Sequence, residues 1–222
     1  LLAGDAQLAT DPSLQYAYAL ALVRSGKAAD AQEIFDQLLR QHSDWPELHV
    51  LLGQAYAASN DFDAAVRELQ RALSLSATVA DAHATLGSMY LRQGKLPEAE
   101  AELRAELASR PQNVDARYQL ATVLELAGKR EEAITLLVAA LKDAPQLADG
   151  RYLLGKMLLA RGDTEAAAGE LEIAARLAPK DANIHYQLGQ AYQKLGRSEL
   201  AQQQFAAYRE LKRGERPETP AP

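Results

Sequence analysis

Four histidines, His42, His49, His83 and His185, are the side chains best suited to metal or acid–base chemistry, and the chain has no cysteine to join them. Three of them, His49, His83 and His185, stand 34 residues or a multiple of 34 apart. A shared place in a repeat predicts packing, because neighbouring first helices lie roughly 8 to 10 Å or more apart and no close second ligand completes a site. The carboxylates Glu98, Glu100, Glu102, Glu131 and Glu132 fall at or near predicted helix starts, where negative charge suits the helix dipole and a solvated face. Glycines are spread one per turn, with no phosphate loop, Walker pattern or nucleophile elbow. These residues predict no enzyme, no metal and no cofactor.

The elements that carry them follow from internal periodicity. A large apolar residue followed by a small one recurs every 34 residues as Tyr18-Ala19, Leu52-Gly53, Leu86-Gly87, Leu120-Ala121, Leu154-Gly155 and Leu188-Gly189. Twelve positions after the small residue stands alanine each time: Ala31, Ala65, Ala99, Ala133, Ala167 and Ala201. Four further on comes Phe35, Leu69, Leu103, Leu137, Leu171 or Phe205, on the same helical face. Between the columns lies Gly26, Asn60, Gly94, Gly128, Gly162 or Gly196, residues suited to a left-handed helix end. Pro111, Pro145 and Pro179 stop three of the second helices. The pattern predicts six helix–turn–helix units at 12-45, 46-79, 80-113, 114-147, 148-181 and 182-215. One helical pair cannot bury its apolar face alone, so the units must stack.

The whole composition agrees with a soluble, core-forming protein, 48% hydrophobic and 24% charged. A formal net charge of -6 without a basic cluster argues against nucleic acid as a ligand. The longest uncharged apolar stretch, Tyr16 to Val23, is far shorter than the ~20 residues of a spanning helix, so no membrane insertion is expected. The absence of cysteine leaves the compartment open, cytoplasmic or exported. The opening Leu1-Leu2-Ala3-Gly4-Asp5 is no intact signal peptide and reads as a fragment or a processed form.

The repeat resembles the tetratricopeptide repeat, with the aromatic that follows the small residue present as Tyr56, Tyr90 and Tyr192, and leucine (Leu22, Leu124, Leu158) elsewhere. The resemblance implies an all-α, right-handed superhelical solenoid with a concave groove lined by first helices. It also implies that groove positions fall two, five, nine and twelve residues into each unit, along with the one after the fifth. Those positions give the candidate peptide-binding residues Tyr16, Val50, Gln54, Leu91, Tyr118, Gln119, Tyr152, Lys156, Leu159, Tyr186, Gln187 and Gln190. Tyrosine offers flat area with a polar tip, which suits a peptide surface. The alternative is that these tyrosines fill gaps between adjacent first helices. A family subgroup binds acidic chaperone C-termini through lysine and asparagine at positions five and nine. Here position five is tyrosine or apolar and position two is Glu47, Asp81, Asp115 or Asp149, so that clamp is not expected.

Three places depart from the pattern. Glu106 stands where other units have Ala72, Ala140 or Ala174, and is expected to snorkel outward or to pair with a nearby arginine. The last helix caps itself, with Ala201, Phe205 and Tyr208 inward. The first, Tyr16 to Val23, is apolar all round and needs a cover, for which residues 1–11 with Leu1, Leu2 and Leu8 are too few to form a unit. Residues 216–222 read as a disordered tail or linker. The function expected is a noncatalytic scaffold that binds a peptide segment of a protein partner. The alternative is a structural module that self-associates, or continues a longer solenoid, through its N-terminal helix.

Overall fold

The computed structural model describes residues 12–214. The expectations placed on residues 1–11 and 216–222 lie outside the described residues. Within them are twelve α-helices and no strand: α1 Pro12–Arg24, α2 Ala28–Gln41, α3 Pro46–Ala58, α4 Phe62–Leu75, α5 Ala82–Arg92, α6 Leu96–Ser109, α7 Val114–Leu126, α8 Arg130–Asp143, α9 Ala148–Arg161, α10 Thr164–Leu177, α11 Ala182–Lys194 and α12 Ser198–Gly214. The chain is an all-α helical-repeat solenoid that divides into two compact units between Ala116 and Arg117. None of the described helices is long and apolar enough to cross a membrane.

Each turn between paired helices closes through a backbone that side chains seldom tolerate. Gly26, Gly94, Gly128, Gly162 and Gly196 have φ between +72° and +100°, and Asn60 takes the same region at +62°. Asparagine is among the few residues with a side chain that enter this left-handed region.

In the first unit the core alternates small and large groups. Ala19, Ala31, Phe35, Leu38, Leu48 and Leu52 form one buried cluster, and Ala65, Leu69, Ala72, Ala82 and Leu86 form the next. A Cβ built on Gly53 or Gly87 would stand 2.7 Å from Leu69 Cγ or Leu103 Cγ. The glycines are therefore required by contact with the second helix. In the second unit Gly155 and Gly189 do the same against Leu171 Cγ and the Phe205 ring, each at 2.6 Å. This close approach fixes how the first helices present their other faces.

A hydrogen-bonded clasp ties first helix to second helix. His49 Nδ1 lies 2.7 Å from Glu68 Oε2, His83 Nδ1 2.7 Å from Glu102 Oε2, and His185 Nδ1 2.8 Å from Gln204 Oε1, always nineteen residues apart. Arg151 fills the same position in another repeat and donates from Nη1 to Glu170 Oε2 at 2.7 Å. His49, His83 and His185 thus each bond to a second helix, and no cluster of three or more His, Asp and Glu with metal-site spacing occurs among the described residues.

Glu106 is 2% exposed, so it does not snorkel. Arg110 Nη2 donates to its Oε2 at 2.8 Å and Asn113 Nδ2 to its Oε1 at 2.7 Å. Arg110 reaches on to Asp81 Oδ1 at 2.8 Å, while Asn113 Oδ1 accepts from the Ala116 N–H at the start of α7. Every polar atom of the buried carboxylate is answered, as a buried charge requires.

Candidate functional site

The candidate residues of the second unit gather on α7, α9 and α11. Tyr118 and Tyr152 are half-buried. Burial, the largest cause, raises the pKa of both phenols above the ordinary value, and nearby carboxylates, Asp149 for Tyr118 and Asp181 for Tyr152, raise them further. Both rings therefore offer a neutral, donating hydroxyl beside negative charge. Asp149, Tyr152 and Lys156 follow i, i+3, i+7 spacing and share one stripe of α9.

Tyr186 on α11 is 40% exposed and leans on α12, with its ring 5.2 Å from Tyr208 and 6.0 Å from Phe205 between centroids. Its hydroxyl accepts a hydrogen bond from Gln190 Nε2 at 3.2 Å. Beside it a cavity of about 370 Å³ opens between α9 and α11, lined by Lys156, Leu159, Ala160, Gln187, Gln190, Gln193 and Lys194. Lys156, Leu159, Gln187 and Gln190 are thereby brought together around one opening. Gln119 Oε1 is buried and accepts no hydrogen bond among the described residues.

In the first unit a second cavity, of about 320 Å³, brings together Tyr16, Val50 and Gln54, walled also by Leu20, Val23 and Leu51. Tyr16 stacks on Trp45 at 5.1 Å, and burial, with Glu47 adding to it, raises its phenol pKa. Leu91 is half-buried on α5 and lines neither opening.

Sequence reasoning placed Gln193 at a groove position without choosing it as a candidate, and passed over Lys194; the two complete the cavity at the end of α11. The signal was there: Lys194 lies thirteen residues into its repeat, one place beyond the groove position occupied by Gln193. The carboxylates that begin the second helices also have partners that reading missed. Arg161 Nη1 donates to Glu131 Oε2 at 2.7 Å and Arg197 Nη2 to Glu165 Oε1 at 2.6 Å, each joining adjacent repeats of the second unit.

Models described as Tetratricopeptide repeat match residues 16–82 and 50–114, residues 92–152, and residues 182–213, and one described as TPR repeat matches residues 155–196. No curated protein matches the sequence. Among solved structures the fold is similar to that of MamA protein, at 21% identity and a TM-score of 0.69 over 79% of this chain and 98% of that one. It is similar to YrrB, described as a TPR protein with an unusual peptide-binding site, at 19% identity and 0.70 over 82% and 93%. Pseudomonas aeruginosa PilF aligns at 23% identity and 0.67 over 74% and 75%.

Proposed function

This chain belongs to the tetratricopeptide repeat family, a protein-interaction fold, and we propose that it is a noncatalytic scaffold holding a peptide segment of a protein partner across α7, α9 and α11. The observation that carries the reading is the pairing of half-exposed tyrosines with a cavity lined by glutamine, lysine and apolar side chains on one set of first helices. Tyr118, Tyr152 and Tyr186 supply flat apolar area, while Lys156, Gln187 and Gln190 surround an opening of about 370 Å³ that a side chain can enter. Aromatic anchors of this kind lose little side-chain entropy on binding and carry most of the affinity of an interface. The unusual peptide-binding site of YrrB supports peptide binding as a use of this fold.

The test is site-specific photo-crosslinking in native lysate, with the photoreactive residue placed at Gln190 or, outside the groove, at the exposed Val138 of α8. The reading requires a partner captured at 190 and not at 138. Equal capture at both places would contradict it.

A second reading is favoured by a separate observation. Leu14 is 42% exposed and Tyr18 46%, four residues apart on one face of α1. A second copy of this chain covering that face would make the protein a self-associating module. Sedimentation equilibrium of the wild type against Leu14→Glu/Tyr18→Glu tests this, the reading requiring a concentration-dependent mass only in the former.

A further inference from the structure

We propose that the cavity between α9 and α11 seats an acidic side chain, Asp or Glu, of the bound segment; this rests on the groove reading above. The lining holds two cations, Lys156 and Lys194, and no anion. Both lysines are exposed, and no ion pair engages either among the described residues. In a chain of net charge -6 this is a local reversal of sign, and at physiological salt a charge feels its surroundings over about 8 Å, so the cavity and not the net charge governs a bound group.

The remaining lining fits the same ligand. Gln187, Gln190 and Gln193 bring amide donors for carboxylate oxygens, and Leu159 and Ala160 bring apolar surface for the methylenes that carry them. The volume of about 370 Å³ admits such a side chain together with water.

Charge along α9 fixes where the acid sits. Asp149 and Lys156 end one stripe, seven residues or about 10 Å apart, with Tyr152 between them. Asp149 lies beside Tyr118, and Asp181 beside Tyr152. These carboxylates repel an anion from the tyrosine end and so favour the lysine cavity. The two lysines occupy the ninth and thirteenth positions of their repeats, so the seat differs from the subgroup clamp built on positions five and nine.

The closing experiment uses the full chain and three pools of N-acetylated, C-terminally amidated fluorescent peptides of mixed sequence. The pools are identical except for a fixed Asp-Glu, Asn-Gln or Lys-Arg pair. Blocked ends ensure that any carboxylate read is a side chain. Fluorescence anisotropy is expected to show the acidic pool bound about five-fold more tightly than the amide pool, with the gap closing as salt rises. In Lys156→Glu/Lys194→Glu the preference is expected to pass to the basic pool. Both lysines are exposed, so that variant keeps its fold. Equal binding of the acidic and amide pools by the wild type would overturn the acidic seat and leave the groove reading standing. Binding of none of the pools would overturn both.

Discussion

Arg151 donates to Glu170 Oε2 at 2.7 Å and, through Nε, to the Pro145 carbonyl at 3.2 Å. His49 stands in the equivalent place in its own repeat, with its two ring nitrogens against Glu68 Oε2 at 2.7 Å and the Ser43 carbonyl at 3.1 Å. The position asks for a side chain that reaches both the second helix and the preceding loop. His49→Arg should therefore retain stability, while His49→Ala should lose about 1 to 3 kcal/mol by leaving Glu68 and the loop carbonyl unanswered. Urea unfolding of the two variants checks this, and equal losses would contradict it.

The Glu106 network predicts an asymmetry. The carboxylate is 2% exposed and Arg110 is 37% exposed, so only one partner can turn to water when the other is removed. Arg110→Ala should cost about 3 to 5 kcal/mol by removing the counter-charge of a buried carboxylate and leaving its Oε2 unanswered. Glu106→Ala, which gives this repeat the alanine that three others carry as Ala72, Ala140 and Ala174, should cost less, about 1 to 3 kcal/mol. Chemical denaturation of both reads the order, and a larger loss in Glu106→Ala would refute the reasoning.

Close approach predicts the sign of a small substitution. Alanine normally favours a helix over glycine by up to about 1 kcal/mol, yet at Gly155 the new Cβ would lie 2.6 Å from Leu171 Cγ. Gly155→Ala should destabilise by about 1 to 3 kcal/mol, and Ala99→Leu or Ala133→Leu by a similar amount, because these sites are fully buried. A rise in melting temperature for Gly155→Ala would show that the helices can part at no cost.

Alkaline pH should loosen the repeat that contains Tyr192. Burial, aided by its hydrogen bond to Glu172 Oε1 at 2.8 Å, pushes the phenol pKa up from 10.0 to about 12. The folded state holds the proton more tightly than the unfolded state, so stability is complete below pH 10 and falls as pH rises from there to about 12. Tyr192→Phe should remove that part of the pH dependence, as read by denaturation across the range.

Much of the fold was legible because the repeat writes packing into fixed columns. Gly53, Gly87, Gly155 and Gly189 mark the close contacts directly, and Gly26, Gly94, Gly128, Gly162 and Gly196 mark the left-handed turns. Asn60 was legible as a turn residue for the same reason. The clasp was missed, because columns of single residues do not show that His49 and Glu68, His83 and Glu102, and Arg151 and Glu170 keep a constant nineteen-residue spacing.

The candidate site was legible only as positions. The mutual arrangement of Lys156 and Lys194 depends on how α9 lies against α11, and no spacing within either helix states it. The pairing of Glu106 with a nearby arginine was legible, since Arg110 lies four residues on, but the onward bond from Arg110 to Asp81, 29 residues away, was not. Such partners are set by stacking, and a sequence column records one place in a repeat and not what faces it.

Tyr118, Tyr152 and Tyr186 are the proposed anchors of a partner segment. The most direct measurement compares, in native lysate, the proteins retained by the wild type and by Tyr118→Ala/Tyr152→Ala/Tyr186→Ala, after circular dichroism shows that both are helical. At least one partner is expected to be held by the wild type and lost from the folded variant. Identical retention by the two would contradict it.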